Sequence, residues 1–248
     1  MDNSQLMDAI SRGRTDLIFE FMARADWQET ARAGPVALHS WLVYFDDVTA
    51  LRALVRSHYD LSQDELDAEL GHAAFFGHWK VCDFLLDLGA NARSKLEDTA
   101  ETPLHNALCK AGRPHFAFTV QLLLAHGADP NAKTNPNVET GAFMRDVRTK
   151  GETPLHRAAA FAPPETIELL LEHGADLEAR DCNGDTPLSW ASWHLRPGRV
   201  LQLLAFPPHH ISDKHVAQNT SDHGAGWGNA MERKFVGDYL PFSLNRSK

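Results

Sequence analysis

One short pattern, Thr-Pro-Leu-His or a degenerate form of it, returns along most of this 248-residue chain. Aligned on the pattern, successive frames begin at Ser4, Val36, Ala68, Thr102, Thr153 and Thr186. The intervals are 32, 32, 34, 51 and 33 residues, so all but one share a period of about 33. Such a period predicts a stack of similar units, because each unit needs its neighbours to bury its apolar face.

The best-preserved copies predict two helices in each unit. In "ETPLHRAAAF", Thr153 can cap the start of a helix, and Pro154 suits its first turn, where a missing N–H costs nothing. In "ETIELLLEHGAD", apolar residues recur at helical spacing until Gly174 ends the helix. Asn183 and Gly184 then predict a tight turn before the next unit. Each unit is therefore expected to be helix, turn, helix and projecting loop.

These copies resemble the ankyrin repeat. The resemblance rests on "ETPLHNA…LLLAHGADPNAK", "GETPLHRAAAF…IELLLEHGADLEARD" and "GDTPLSWAS", with weaker copies before them. It implies an all-α ankyrin-repeat solenoid of about six helix-turn-helix repeats, whose first helices line a concave face and whose loops project as fingers. Residues 1–206 are thus predicted to be the repeat domain, and residues 207–248 a capping extension or a disordered tail. The usual activity of the family is binding other proteins.

The long interval places extra residues in the loop between the fourth and fifth repeats. We expect residues 135–150 to extend this finger. Phe143 and Met144 would fold onto the concave surface, because an apolar pair is unfavourable in water, and Arg145 and Arg148 would face a bound partner. A disordered loop is the alternative, since long loops are either functional or disordered.

The ankyrin pattern also implies which side chains point into the concavity. In the middle of that face they are Tyr44, His72, Phe76, Asn106, Lys110, Arg157 and Phe161, and at its C-terminal end Trp190, Trp193 and His194. Aromatic and arginine side chains dominate protein-binding hot spots. We therefore expect these residues to contact a partner, with packing between inner helices as the alternative for any single aromatic.

A small-molecule site, catalytic or not, is the alternative function. In it His72 acts as acid or base, and Arg157 and Lys110 hold an anionic group. Aromatic walls would suit a sugar or an anionic metabolite, and the finger would close the pocket. No cofactor or metal is expected, because the histidines and the three cysteines lack a metal-ligand spacing.

The net charge of the chain indicates its class of partner, and its cysteines indicate its cellular compartment. A net charge of −9 disfavours nucleic acid and favours a protein partner with a basic patch. No apolar run approaches the length of a membrane span, and "MDNSQLMDAISRG" does not resemble a secretory signal. Cys82, Cys109 and Cys182 predict reduced, buried thiols. The sequence therefore predicts a cytoplasmic protein.

Overall fold

A computed structural model of the chain describes residues 1–109, 116–140 and 148–208. Within these ranges the regular structure is helical, apart from one isolated antiparallel bridge between Glu139 and Arg148. The α-helices are α1 (Asn3–Ser11), α2 (Ile18–Met22), α3 (Trp27–Ala33), α4 (Leu38–Tyr44), α5 (Val48–Arg56), α6 (Gln63–Phe76), α7 (Trp79–Asp87), α8 (Pro103–Ala107), α9 (Phe116–Ala125), α10 (Pro154–Phe161), α11 (Pro164–Glu172), α12 (Pro187–Trp193) and α13 (Gly198–Leu203). None of these helices has the length and apolar character needed to cross a membrane.

The helices pair in the order that the period predicts. The six pairs in the described ranges are α1–α2, α4–α5, α6–α7, α8–α9, α10–α11 and α12–α13. The first helices α4, α6, α8, α10 and α12 contact one another in series, and the second helices α5, α7, α9, α11 and α13 do the same. Buried apolar side chains fill the space between the two layers from the first pair to the last. The predicted all-α solenoid is confirmed.

The histidines of the Thr-Pro-Leu-His segments hold the repeats together. His156 Nδ1 lies 2.9 Å from Thr153 Oγ1 at the start of α10, and its Nε2 lies 3.0 Å from the backbone oxygen of Asp185. His105 Nε2 lies 3.3 Å from the backbone oxygen of Glu152 in the same way. Each imidazole therefore caps its own helix and bonds the loop that leads into the next repeat.

Helix α6 begins earlier than the period predicts. The frame places a helix start beside Ala68, whereas α6 begins at Gln63. Ser62 caps this start, because its hydroxyl accepts a hydrogen bond from Glu65 N at 3.3 Å while the Glu65 carboxylate accepts one from Ser62 N at 2.8 Å. This reciprocal cap satisfies two backbone donors and makes α6, with 14 residues, the longest helix of the described chain.

Helix α3 occupies a loop where no helix was predicted. It lies between the first two helix pairs, and Trp27 stacks on Tyr59 with ring centroids 6.0 Å apart. The Arg32 guanidinium lies 4.1 Å from the centroid of the Tyr59 ring and bonds the Glu65 carboxylate at 2.6 Å. These contacts fix α3 beside the N-terminal end of α6.

The cysteines and the C-terminal residues were also predicted from the sequence. Cys82 and Cys109 are buried, but Cys182 is exposed, so the expectation of three buried thiols is wrong for Cys182. The predicted extension begins at residue 207, and residues 209–248 lie outside the described ranges.

Candidate functional site

The C-terminal ends of α4 and α6 bring five aromatic side chains together. The Tyr44 and Phe76 rings meet edge to face with centroids 5.2 Å apart, as do the Phe75 and Phe76 rings. Trp41 and Phe45 lie beside Tyr44, with centroids 6.1 and 5.0 Å from its ring. We name these five residues the aromatic cluster. Tyr44 is 50% exposed while the other four are partly buried, so the cluster presents a braced apolar surface to solvent.

A surface groove of about 580 Å³ lies beside the N-terminal half of α6. One wall is α6 itself, and the other is the finger that leads from α7 to α8. We name it the α6 groove, and its lining residues are Asp64, Asp67, Ala68, Gly71, His72, Ser94, Lys95, Leu96, Glu97, Glu101, Pro103 and Asn106. The early start of α6 supplies Asp64 and Asp67, so the groove depends on the cap at Ser62.

Carboxylates outnumber cations in the α6 groove. Asp64, Asp67, Glu97 and Glu101 line it, against Lys95 as the one lysine or arginine among the lining residues. Glu101 is buried and paired with an arginine, whereas Asp64 and Glu97 are exposed on opposite walls. The groove therefore attracts a positively charged group.

His72 lies on the rim of the α6 groove above a buried carboxylate. Its Nδ1 is 3.2 Å from Glu69 Oε2, and the His72 side chain is 63% exposed. The hydrogen bond to Glu69 raises the pKa of His72, although burial acts in the opposite direction. Burial would raise the pKa of Glu69, but its hydrogen bonds with His72 and Ser40 lower it. The exposed imidazole is thus held in place and stays protonated to a higher pH than a free histidine.

The placement of Arg157 on the concave surface is wrong, because its side chain is 0% exposed. Its Nη2 lies 2.6 Å from Glu101 Oε1 and 2.6 Å from Glu152 Oε1, and its Nη1 donates to the backbone oxygen of His105 at 3.2 Å. A glutamate precedes each of the two neighbouring Thr-Pro-Leu-His segments, and these two carboxylates enclose the guanidinium. The predicted role of Arg157 in holding an anionic ligand is therefore also wrong.

The same buried ion pairs anchor the base of the long finger. Thr140 Oγ1 donates to Glu101 Oε2 at 2.8 Å, and Thr134 Oγ1 donates to Glu152 Oε2 at 2.7 Å. Burial would raise the pKa of Glu152, but Arg157 and the hydrogen bonds from Thr134 and from the Lys150 N–H lower it to about 2. The finger is thus joined to the solenoid by hydrogen bonds to the ionised carboxylates of Glu101 and Glu152.

Beyond this base the two sides of the finger pair with each other. Asn137 N donates to Thr149 O at 2.7 Å, and Thr149 N donates to Val138 O at 2.8 Å. The Arg148 guanidinium donates to Asn137 O at 2.7 Å and to Glu139 Oε1 at 3.1 Å. Residues 134–140 and 148–152 therefore form an antiparallel stem. We name it the finger stem.

Four of the predicted contact residues lie outside the described ranges, three of them between the two sides of the finger stem. They are Lys110, Phe143, Met144 and Arg145.

The remaining predicted contact residues differ in how far they reach solvent. Asn106 is buried and donates to Gly71 O at 3.3 Å, and Trp190 is buried with its Nε1 donating to Asp181 Oδ2 at 3.1 Å. Trp193, by contrast, is 72% exposed.

Phe161 at the end of α10 packs against His194, which directly follows α12. The Phe161 side chain is buried, and its ring meets the His194 ring edge to face with centroids 4.9 Å apart. The structure thus brings Tyr44 and Phe76 together near the surface and places His72 on the same helix as Phe76, while Phe161 packs against His194.

The acidic residues of the α6 groove were missed because the alignment on the period hid the true start of α6. The spacing Ser62-x-x-Glu65 ahead of an apolar run is the signal of a capping box and could have revealed it. In the ranges that the structure describes, no group of His, Cys, Asp and Glu side chains is arranged to hold a metal ion.

Comparison with known proteins agrees with this architecture. A family model described as ankyrin repeats (3 copies) matches residues 70–181 and 136–215, which together make up more than half of the chain. Rabankyrin-5 from Homo sapiens is 36% identical over 110 residues, which cover 44% of this chain and 9% of that protein. Ankyrin repeat and SOCS box protein 11 from Danio rerio is also 36% identical over 110 residues, covering 37% of this chain and 36% of that protein.

A third relative also matches the chain over a small part of its own length. The ARF GTPase-activating protein Git from Drosophila melanogaster is 44% identical over 105 residues, which cover 42% of this chain and 12% of that protein. The chain thus spans about a third or less of the length of these relatives. Ankyrin repeats are generally protein–protein interaction modules. The period, the paired helices and the family match together show that this chain belongs to the ankyrin repeat family.

Proposed function

We propose that this chain binds a protein partner through its concave face. The observation that carries the proposal is the aromatic cluster, in which the half-exposed Tyr44 ring packs against Phe45 and Phe76. An aromatic side chain held rigidly by its neighbours loses little conformational entropy on binding, which is why such residues form hot spots. Trp193, 72% exposed on the last inner helix, supplies a second aromatic contact.

The charge of the α6 groove supports a partner with a basic patch. The groove and two members of the aromatic cluster, Phe75 and Phe76, lie along the same helix, so one partner can cover both. Complementary charge speeds association and discriminates against acidic proteins. In this proposal His72 and Asn106 make polar contacts at the rim of the groove.

The long finger supplies the third part of the proposed surface. Its stem is tied to Glu101, which also lines the α6 groove, so the finger leaves the solenoid beside the groove. We assign Phe143, Met144 and Arg145 of the finger, together with Lys110, to partner contact on the basis of their sequence. Arg148, half exposed on the stem, adds a charged contact.

The alternative function, a small-molecule site with acid–base chemistry, has lost part of its support. Arg157 is enclosed by two carboxylates, so it is not placed to hold an anionic substrate. Support remains for His72 alone among the predicted catalytic residues of the described ranges, because its side chain lines the α6 groove and its Nδ1 lies 3.2 Å from Glu69 Oε2. The carboxylates that line the groove favour binding of a cation over binding of an anionic metabolite.

We also propose a cytoplasmic location for the chain. Cys82 and Cys182 form no disulfide, and cysteines that form no disulfide are typical of reducing compartments.

Site-specific photo-crosslinking tests the proposed function. A photoreactive amino acid is placed at position 44 or 193 on the concave face, or at the exposed Glu172 or Phe118 on the second helices as controls. After irradiation in a cell lysate, we expect protein adducts from positions 44 and 193 and not from the controls. Adducts from Phe118 or Glu172 alone would contradict a concave-face interface.

A further inference from the structure

We propose that α6 recognises one short extended segment of the partner through two separated contacts. A lysine or arginine of that segment enters the α6 groove, and an apolar side chain about five residues away lies on the aromatic cluster. The inference rests on the proposed function and specifies the chemistry and the spacing of the partner sequence.

The spacing follows from the geometry of α6. Asp64, Ala68, Gly71 and Phe75 recur at intervals of four, three and four residues, so they lie along one stripe of the helix. The eleven residue-to-residue steps of α-helix from Asp64 to Phe75 span about 16 Å. An extended peptide rises about 3.3 Å per residue, so about five residues cover the same distance.

The acidic end of the stripe determines which group enters the groove. Asp64 on α6 and Glu97 on the facing finger are exposed carboxylates on opposite walls. Lys95 offsets one of these charges, and the further carboxylate of Asp67 keeps the groove net negative. A cationic side chain between two carboxylates gains charge-assisted hydrogen bonds to both.

The other end of the stripe accepts an apolar side chain. The half-exposed Tyr44 ring packs against Phe76, which in turn packs on Phe75 at the end of the stripe. Between the two ends the stripe carries only Ala68, with a single methyl group, and Gly71, with no side chain, so a peptide backbone can approach the helix. The surface of α6 is thus flat in the middle of the stripe, where the peptide backbone crosses, and is shaped for a side chain at each end.

Synthetic peptides test the spacing directly on the full chain. Each fluorescent peptide carries one arginine and one tryptophan in a Gly/Ser background, separated by one position, by about five or by about ten. Fluorescence anisotropy then gives the Kd of each peptide for the purified protein. We expect the peptides with the intermediate spacing to bind at least about tenfold more tightly than the other two, since one of the two contacts is lost at the wrong spacing.

Surface variants assign the two contacts. Glu97→Lys is expected to weaken the best peptide about tenfold and to leave an arginine-free control peptide unchanged. Tyr44→Ala is expected to weaken it by a similar factor and to remove the preference for tryptophan. The matched controls are Glu172→Lys and Phe118→Ala, which change an exposed carboxylate and an exposed aromatic residue far from α6 in sequence.

Three outcomes would overturn the inference: no peptide binding, equal binding at all spacings, or equal effects of Glu97→Lys and Glu172→Lys. The inference and the proposed function can fail separately. A protein crosslinked at position 193, combined with any of these peptide results, overturns the inference and leaves the proposed function in place. Absence of crosslinks at both concave positions removes the proposed function.

Discussion

The guanidinium of Arg157 lies 2.6 Å from the carboxylate of Glu101, 56 residues earlier in the chain, and both groups are buried. This ion pair joins the fifth inner helix to the finger that precedes the fourth. Because Thr140 donates to the same carboxylate, the pair also anchors the finger stem. A side chain expected to touch a partner therefore holds together the scaffold that presents the proposed partner-binding surface.

Replacing Arg157 tests the strength of this link. Arg157→Met leaves Glu101 and Glu152 buried without their cation, so we expect the free energy of unfolding to fall by about 3–5 kcal/mol. Urea unfolding followed by circular dichroism measures the change. Arg199→Met, which breaks the exposed pair with Glu168, is the matched control and should cost at most about 1 kcal/mol. Equal losses for the two variants would contradict the structural role of the buried pair.

Removing the hydroxyl of Thr140 tests the anchoring of the finger. Thr140→Val keeps the shape of the side chain but leaves Glu101 without one hydrogen-bond donor, with an expected cost of about 1–3 kcal/mol. Hydrogen exchange at the Asn137 and Thr149 amides, which pair across the finger stem, should become faster. Thr49→Val, at an exposed position on α5, should leave both amides protected. Unchanged exchange in Thr140→Val would show that the stem forms without this anchor.

The early start of α6 depends on its N-cap. Ser62→Ala removes the hydroxyl that accepts from Glu65 N, and we expect a loss of about 0.5–2 kcal/mol. Hydrogen exchange should show fraying of the first turn of α6, which carries Asp64. Ser192→Ala, which removes an exposed hydroxyl near the C-terminal end of α12, is the control. Full protection of the first turn in Ser62→Ala would mean that tertiary packing alone sets this helix start.

The His72–Glu69 pair predicts a pH-dependent stability difference. The pKa of His72 is raised in the fold, so its contribution is complete below the ordinary histidine pKa of 6.5 and is lost as the pH rises through the folded pKa. The pKa of Glu69 is lowered, so its contribution is complete above 4.5 and is lost only as the pH falls through its lower folded pKa. The Tm difference between wild type and His72→Gln should therefore be largest between about pH 4.5 and 6.5.

Thermal unfolding at a series of pH values measures this difference. His126→Gln, at an exposed position at the end of the second helix of the fourth repeat, is the control and should show a flat profile. A His72→Gln difference that grows above pH 7 instead would contradict an ion pair between His72 and Glu69.

Patterns of residues close together in the sequence predicted much of the fold and less of the candidate site. The Thr153 cap and the helix pairs follow from contacts within a few residues, which sequence spacing shows directly. The burial of Arg157 depends on Glu101 in another repeat, so only its position after Thr-Pro-Leu-His was visible, and that position was interpreted as concave surface. Asp64 was missed for a different reason, because an average period conceals a repeat whose first helix starts earlier.

The central claim is that the concave face binds a protein. Its most direct test is the Tm of the purified chain in lysate fractions separated by size, because a ligand of the native state raises the Tm. We predict that the macromolecular fraction raises the Tm of wild type and of Glu172→Lys, and that Tyr44→Ala or Trp193→Ala reduces the rise. A rise caused only by the small-molecule fraction, and lost in His72→Ala, would contradict the claim and favour a small-molecule site.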